Sequence, residues 1–344
     1  GGEMDRNKKK LFWLVLAGLF CIVFLTLLTI SFYGYVLEKI GVEYAENSRT
    51  YDRYFVMIVG NTESQFWKDT YTCVREEAAA QNAYVELKGT SQSSSYTMTD
   101  FMDMSIAAKV DGILLECTAE EALEGKINEA NEKGIPVVTI LNDAPKTGRK
   151  SYVGINPYQL GQEYAAQIWN ILPKEKENLR ITVLLHDNAI DSNQSQIFSQ
   201  INNVMVTSEE TQGRVRVEEI RISSERAFES EEIVWNLFQN DQGAPDIIVC
   251  MDEVDTEAVY QAVIDYNRVG ETQVIGYYKS PATLDAVRRG TMAMSLYIDT
   301  EQMGKYSVQA MMECIRDGRT NSFYSVDLQF VDSENVSGFM RRGR

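Results

Sequence analysis

A single histidine, His186, stands in 344 residues, and the five cysteines (Cys21, Cys73, Cys117, Cys250 and Cys314) form no C-x-x-C pair. Histidine and cysteine are the usual zinc ligands, so the sequence contains no metal-ligand pattern. The same scarcity bears on nucleophilic catalysis. His186 would have to be the base of any Ser–His or Cys–His site, and no G-x-S-x-G elbow is present. Phosphate-cradling loops are missing as well, since neither G-x-x-x-x-G-K-[ST] nor a strand-linked G-x-G-x-x-G occurs. Positive charge is also short. Lys+Arg total 33 against 50 Asp+Glu, a net charge of -17, which argues against a chain that works by neutralising nucleic-acid phosphates. Acidic pairs such as Glu209-Glu210 and Glu231-Glu232 read as solvated faces. No enzyme, cofactor or metal is expected from this inventory.

What the sequence does have begins with Leu11–Leu37, an apolar run without a single charge. About 20 such residues cross a bilayer as a helix. A cleavable signal peptide has a shorter apolar region and a small-residue cleavage site, and a lipoprotein signal would need small residues where Leu19 and Phe20 precede Cys21. An uncleaved anchor is the expectation for 11–37. Arg6, Lys8, Lys9 and Lys10 outweigh Glu3 and Asp5, which places 1–10 as a cytoplasmic tail and the large C-terminal part outside the cell membrane. Residues 38–50 read as a polar stalk. The remaining cysteines are scattered singly; buried free thiols are the plain reading, with disulfides left open.

From residue 51 onward, apolar β-branched runs alternate with amphipathic stretches. Tyr54–Val59, Ala83–Leu87, Gly112–Leu115 and Pro136–Ile140 read as strands, with helices over Phe66–Ala80, Thr99–Val110 and Ala119–Lys133 between them. In Lys133-Gly134-Ile135-Pro136, glycine supplies a left-handed helix cap and proline opens the next element. The pattern restarts after residue 157, with strands Ile181–Leu185, Val215–Ile222, Asp246–Cys250 and Gln273–Tyr277. Two successive βαβ series predict two α/β lobes with parallel sheets and a cleft between them. Ligands of such sheets bind beyond the carboxyl ends of the strands.

The segments Val110-Asp111-Gly112-Ile113-Leu114-Leu115, Ala130 to Val138, and Tyr152-Val153-Gly154-Ile155-Asn156 with Gly161 resemble the first lobe of type I periplasmic sugar-binding proteins, the ribose- and galactose-binding group. Their fold is shared with the effector domain of lactose-repressor-like regulators. Pro245-Asp246, Cys250-Met251-Asp252-Glu253, Val274-Ile275-Gly276-Tyr277, Arg289-Gly290, Glu301-Gln302-Met303-Gly304 and Val326 to Val331 resemble the second lobe. The resemblance implies two Rossmann-like lobes behind the single N-terminal helix. Lobe one would be 51–156 plus 299–321 and lobe two 157–298 plus 322–335, with crossings near 156, 298 and 321 and a tail at 336–344.

The resemblance also implies a polar small-molecule site. Phe66 and Trp67 resemble the family's aromatic pair, and Tyr277 would close the opposite face. Glu116, Asn142, Asp143, Gln194 or Gln196, and Asp252 follow strands and are polar candidates; each equally suits a helix cap, which is the favoured role for Asp252. The sequence departs from the family where an Asp-Arg pair is usual and Leu141-Asn142 stands, where a second-lobe Arg is replaced by a Gln, at Met251, and at Tyr278-Lys279. Ribose or an ordinary hexose fits these departures poorly, and the retained acids suit an amino sugar or another cationic ligand. The expected function is capture of a sugar or sugar-like molecule for an ABC-type importer. The alternative is a sensing module that signals to a membrane partner such as a sensor histidine kinase.

Overall fold

The computed structural model describes residues 51–90, 95–118, 122–186, 193–222, 229–239 and 243–342, together with 24–26, 28, 29 and 31. Tyr51–Arg344 is one compact unit and Gly1–Thr50 another. Within the latter, residues 24–26, 28, 29 and 31 are helical, and the Thr29 hydroxyl donates back to the carbonyl of Leu25 at 3.0 Å. The rest of the expected anchor at 11–37, with the tail and stalk on either side, lies outside the described residues. Among the described residues no helix is long and apolar enough to cross a membrane.

The compact unit is built on two six-stranded sheets. In the first, β1 (Arg53–Val59), β2 (Ala83–Gly89), β3 (Gly112–Leu115), β4 (Val137–Ile140), β5 (Ser151–Gly154) and β11 (Phe323–Ser325) take the order β11-β5-β4-β3-β1-β2. In the second, β6 (Leu179–Leu185), β7 (Val215–Arg221), β8 (Ile247–Cys250), β9 (Gln273–Tyr277), β10 (Met294–Ile298) and β12 (Leu328–Asp332) take the order β12-β10-β9-β8-β6-β7. All pairings within the two sheets are parallel except β10 with β12. Both faces of a parallel sheet are covered by its crossover helices, so its central strands become continuous apolar runs. Residues 112–115, 137–140 and 247–250 are buried throughout, as is all of β6.

Local signals set the element ends. Ser64 caps the helix Gln65–Ala80 through the N–H of Trp67, and Asn156 caps Pro157–Ile171, where proline fits the first turn. Gly134 adopts φ +79°, the left-handed cap expected beyond the helix Ala122–Glu132. The helices Gln65–Ala80 and Thr300–Asp317 approach closely, because a Cβ on Gly304 would stand 2.6 Å from that of Cys73. This contact returns the chain to the first lobe after β10.

The last crossing differs from the expected position near 321. Strand β11 pairs with β5 in the first sheet, Phe323 opposite Tyr152, and only β12 joins the second, so the chain crosses at Val326–Asp327. A three-residue strand carries too little periodicity to be assigned to a sheet from its side chains. At the crossings, the Asp299 N–H bonds the carbonyl of Asp327 at 3.0 Å, and the Gln302 side chain donates to the Asp327 carboxylate at 2.7 Å. Among the described residues Cys73, Cys117, Cys250 and Cys314 form no disulfide with one another.

Candidate functional site

The chain after β1 and β4 of the first sheet meets the chain after β6, β8 and β9 of the second. From the first lobe, Phe66 and Trp67 occupy the opening turn of the helix after β1. Both are nearly fully buried, and their rings meet edge to face with centroids 4.8 Å apart. Phe66 also meets Tyr277 at 6.1 Å and Tyr278 at 5.3 Å, both from the second lobe. Edge-to-face geometry sets the positive rim of one ring against the negative face of the other. Aromatic rings from both lobes therefore meet at this point.

Glu116 follows β3. Its Oε2 accepts the N–H of Gly60 at 2.7 Å, and its Oε1 lies 3.4 Å from the Asn142 amide nitrogen. Burial pushes its carboxyl up to about 7, opposed by the Gly60 N–H and reinforced by the negative charge of Asp252 in the other lobe. Glu116, Asn142 and Asp252 thus share one electrostatic environment. Asp252 follows β8 and accepts the N–H of Val254 at 2.7 Å, capping the helix Glu253–Asp265. Burial raises its carboxyl, His186 lowers it and Asp255 raises it. Gln194 accepts the backbone N–H of His186 through Oε1 at 2.7 Å. It therefore fixes the chain after β6.

Asp143 stands apart. Its carboxylate pairs with the Arg149 guanidinium through Nε and, at 2.7 Å, through Nη2, and it accepts the Thr139 hydroxyl at 3.0 Å. A bidentate pair of this kind saturates a carboxylate, which gives Asp143 a structural role in the first lobe.

Several residues at this site carry no sequence signal. Glu253 receives two backbone N–H groups from the other lobe, Gln65 at 2.9 Å on Oε2 and Phe66 at 3.0 Å on Oε1. The carboxylate thus meets the positive end of the helix Gln65–Ala80. The Tyr278 hydroxyl donates to Asp69 at 2.5 Å, and the Asn193 amide donates to the carbonyl of Leu141 at 3.1 Å. These bonds hold the lobes together. Leu141 and Tyr278, each just after a strand, adopt φ +63° and +61°. Left-handed backbone in such bulky residues costs of order 1–3 kcal/mol and collects at functional sites. In sequence, Glu253 reads only as an acid in a first turn, and its cross-lobe role exists only once the lobes meet.

The family model of the periplasmic binding protein domain matches residues 55–320, and the chain belongs to that family. The family is one of solute-binding proteins, which are not enzymes. Among solved structures, a glucose-galactose binding protein from Geobacillus stearothermophilus, GanP, superposes with a TM-score of 0.71 at 22% identity, covering 82% of this chain and 98% of its own. The sugar-binding protein of a sugar ABC transporter from Bacillus halodurans gives 0.69 at 20%, covering 83% and 99%. A structure described as an XylFII-LytSN complex gives 0.69 at 23%, covering 82% and 98%. These likenesses establish the fold. No functionally curated protein is significantly similar in sequence.

Proposed function

We propose that this chain is a membrane-tethered, extracytoplasmic receptor that closes its two lobes on a sugar or sugar-like molecule and delivers it to an ABC-type importer. The observation that carries this reading is the shared wall of Phe66, Trp67 and Tyr277 beside Glu116 and Asp252 at the strand ends. Aromatic faces stack on a sugar ring and carboxylates take its hydroxyls. The apolar run 11–37 with its basic flank supports the anchor and its orientation. Glu116, Asp252 and Glu253 all have carboxyls raised by burial, so a cation in the cleft would be electrostatically complementary. This supports an amino sugar or a related cationic ligand within the sugar-like class.

Thermal unfolding of the full chain in detergent, against sugars, amino sugars, polyols, nucleosides and amino acids, tests the reading. Ligand at about 100 times its Kd adds roughly 2.7 kcal/mol, a rise of several degrees for a protein of this size. Amino sugars are expected to give the largest rise. Folded protein that no member of the panel stabilises would exclude uptake of this class.

The second reading, a sensor whose closure is read by a membrane partner such as a sensor histidine kinase, is favoured by the likeness to XylFII in its complex with LytSN. Lobe closure supplies the two-state element that signalling needs. Neighbouring genes for a permease and transport ATPase support uptake; genes for a kinase and response regulator support sensing.

A further inference from the structure

The second lobe carries a polar cluster that shares Asp252 with the carboxylate lining of the cleft and adds His186 and Asp255, which that lining does not use. His186 follows β6, and Asp252 and Asp255 stand at the start of the helix that follows β8. Strands β6 and β8 are paired neighbours, with Leu184 opposite Cys250, so their ends deliver the three side chains to one point. One donor atom from each of His186, Asp252 and Asp255 lies within 4.8 Å of the others.

Asp255 is the unusual member. Its side chain is 0% exposed, and neither carboxylate oxygen accepts a hydrogen bond, although Oδ2 lies 2.8 Å from Nε2 of His186. A fully buried carboxylate without hydrogen bonds is among the most costly groups a fold can hold, and it persists where a counter-charge meets it. A nitrogen and a carboxylate oxygen 2.8 Å apart are at ion-pair distance, and the pair is charged only when the imidazole is protonated. A proton on the imidazole would match Oδ2 and leave the equally buried Oδ1 unmet. The Gln194 amide, by taking the His186 backbone N–H, fixes the chain that carries the imidazole.

We propose that His186, Asp252 and Asp255 form a binding site for a divalent first-row cation of the zinc type. One imidazole and two carboxylates are a donor set suited to such ions. Three protein donors leave coordination positions for water or for an oxygen of a ligand in the cleft. The site stands whether or not the cleft takes a sugar, because the three residues meet within one lobe.

His186 is the only histidine of the chain, which makes the test direct. The full chain, without a histidine tag and stripped with EDTA, is labelled with 15N-histidine and titrated with zinc chloride alone. The expected result is a shift of the single imidazole signal set that saturates at one equivalent and is reversed by EDTA. By calorimetry, Asp255→Asn and His186→Gln each weaken zinc binding by more than about tenfold, the lower bound for losing even an outer-shell partner. An imidazole signal that zinc leaves unmoved overturns the site, and this reading needs no variant to fold. Zinc affinity that both folded variants retain overturns it equally, since the ion would then sit among other carboxylates of this acidic chain.

Discussion

At the residue scale, Glu116 shows how burial turns an ordinary side chain into a reporter of the cleft. Its carboxyl is displaced from an ordinary value of 4.5 to about 7, chiefly by desolvation. Between those values the folded chain keeps a proton that the unfolded chain has released. The associated stability is therefore complete below pH 4.5 and is lost as pH rises through about 7. Glu116→Gln removes this dependence. Denaturant unfolding at pH 5 and pH 8 is expected to show a smaller loss of stability in the variant than in the parent, and equal losses would show that Glu116 titrates normally. The expectation at Asp143 fares differently. The sequence places a carboxylate after β4, but its pairing with Arg149, six residues on, depends on a loop that turns back against β5.

At the element scale, the decisive contact is between the helices Gln65–Ala80 and Thr300–Asp317. Gly304 admits it, and a Cβ there would meet Cys73 and the backbone nitrogen of Val74 at 2.6 and 2.9 Å. Neither backbone yields readily, so Gly304→Ala is expected to destabilise by about 1–3 kcal/mol, the range for overpacking, despite alanine's better helix propensity. At Gly125, in the helix Ala122–Glu132, nothing lies within 4 Å of the added Cβ. Gly125→Ala is accordingly expected to stabilise by up to about 1 kcal/mol. Thermal unfolding of the two variants side by side checks the contrast, and shifts of the same sign would refute it. Most strands and helices of both lobes were legible at this scale within a few residues, because a parallel sheet buries whole apolar runs and each crossover helix shows one apolar stripe. Strand β11 was not assigned to its sheet, since three residues place too little apolar surface to specify a partner.

At the scale of the whole molecule, the lobes meet through a small number of polar contacts. Glu253 is the principal one, taking the N–H groups of Gln65 and Phe66 from the opposite lobe. A hydrogen bond to a charged acceptor contributes about 1.5–3 kcal/mol, which is enough to shift an open–closed equilibrium substantially. Glu253→Ala is expected to open the ligand-free protein. Small-angle scattering of the compact unit Tyr51–Arg344 should record a larger radius of gyration for the variant, and ligand affinity should fall by the same free energy that closure loses. An unchanged radius would mean that the aromatic contacts of Phe66 with Tyr277 and Tyr278 hold the lobes without help.

The sequence by itself determined the two-lobed α/β architecture, the family and the aromatic candidates, because alternation of apolar runs with amphipathic stretches and the order of short motifs are local properties of the chain. Tertiary structure alone decided which polar groups share a point in space. His186 and Asp255 are 69 residues apart in sequence, and nothing in the sequence joins the single histidine to that aspartate. Only the pairing of β6 with β8 brings them within 2.8 Å, and only burial leaves the Asp255 carboxylate without a hydrogen bond. Charge, burial and partner are properties of a pair of groups in a low-dielectric interior, and no linear pattern encodes them.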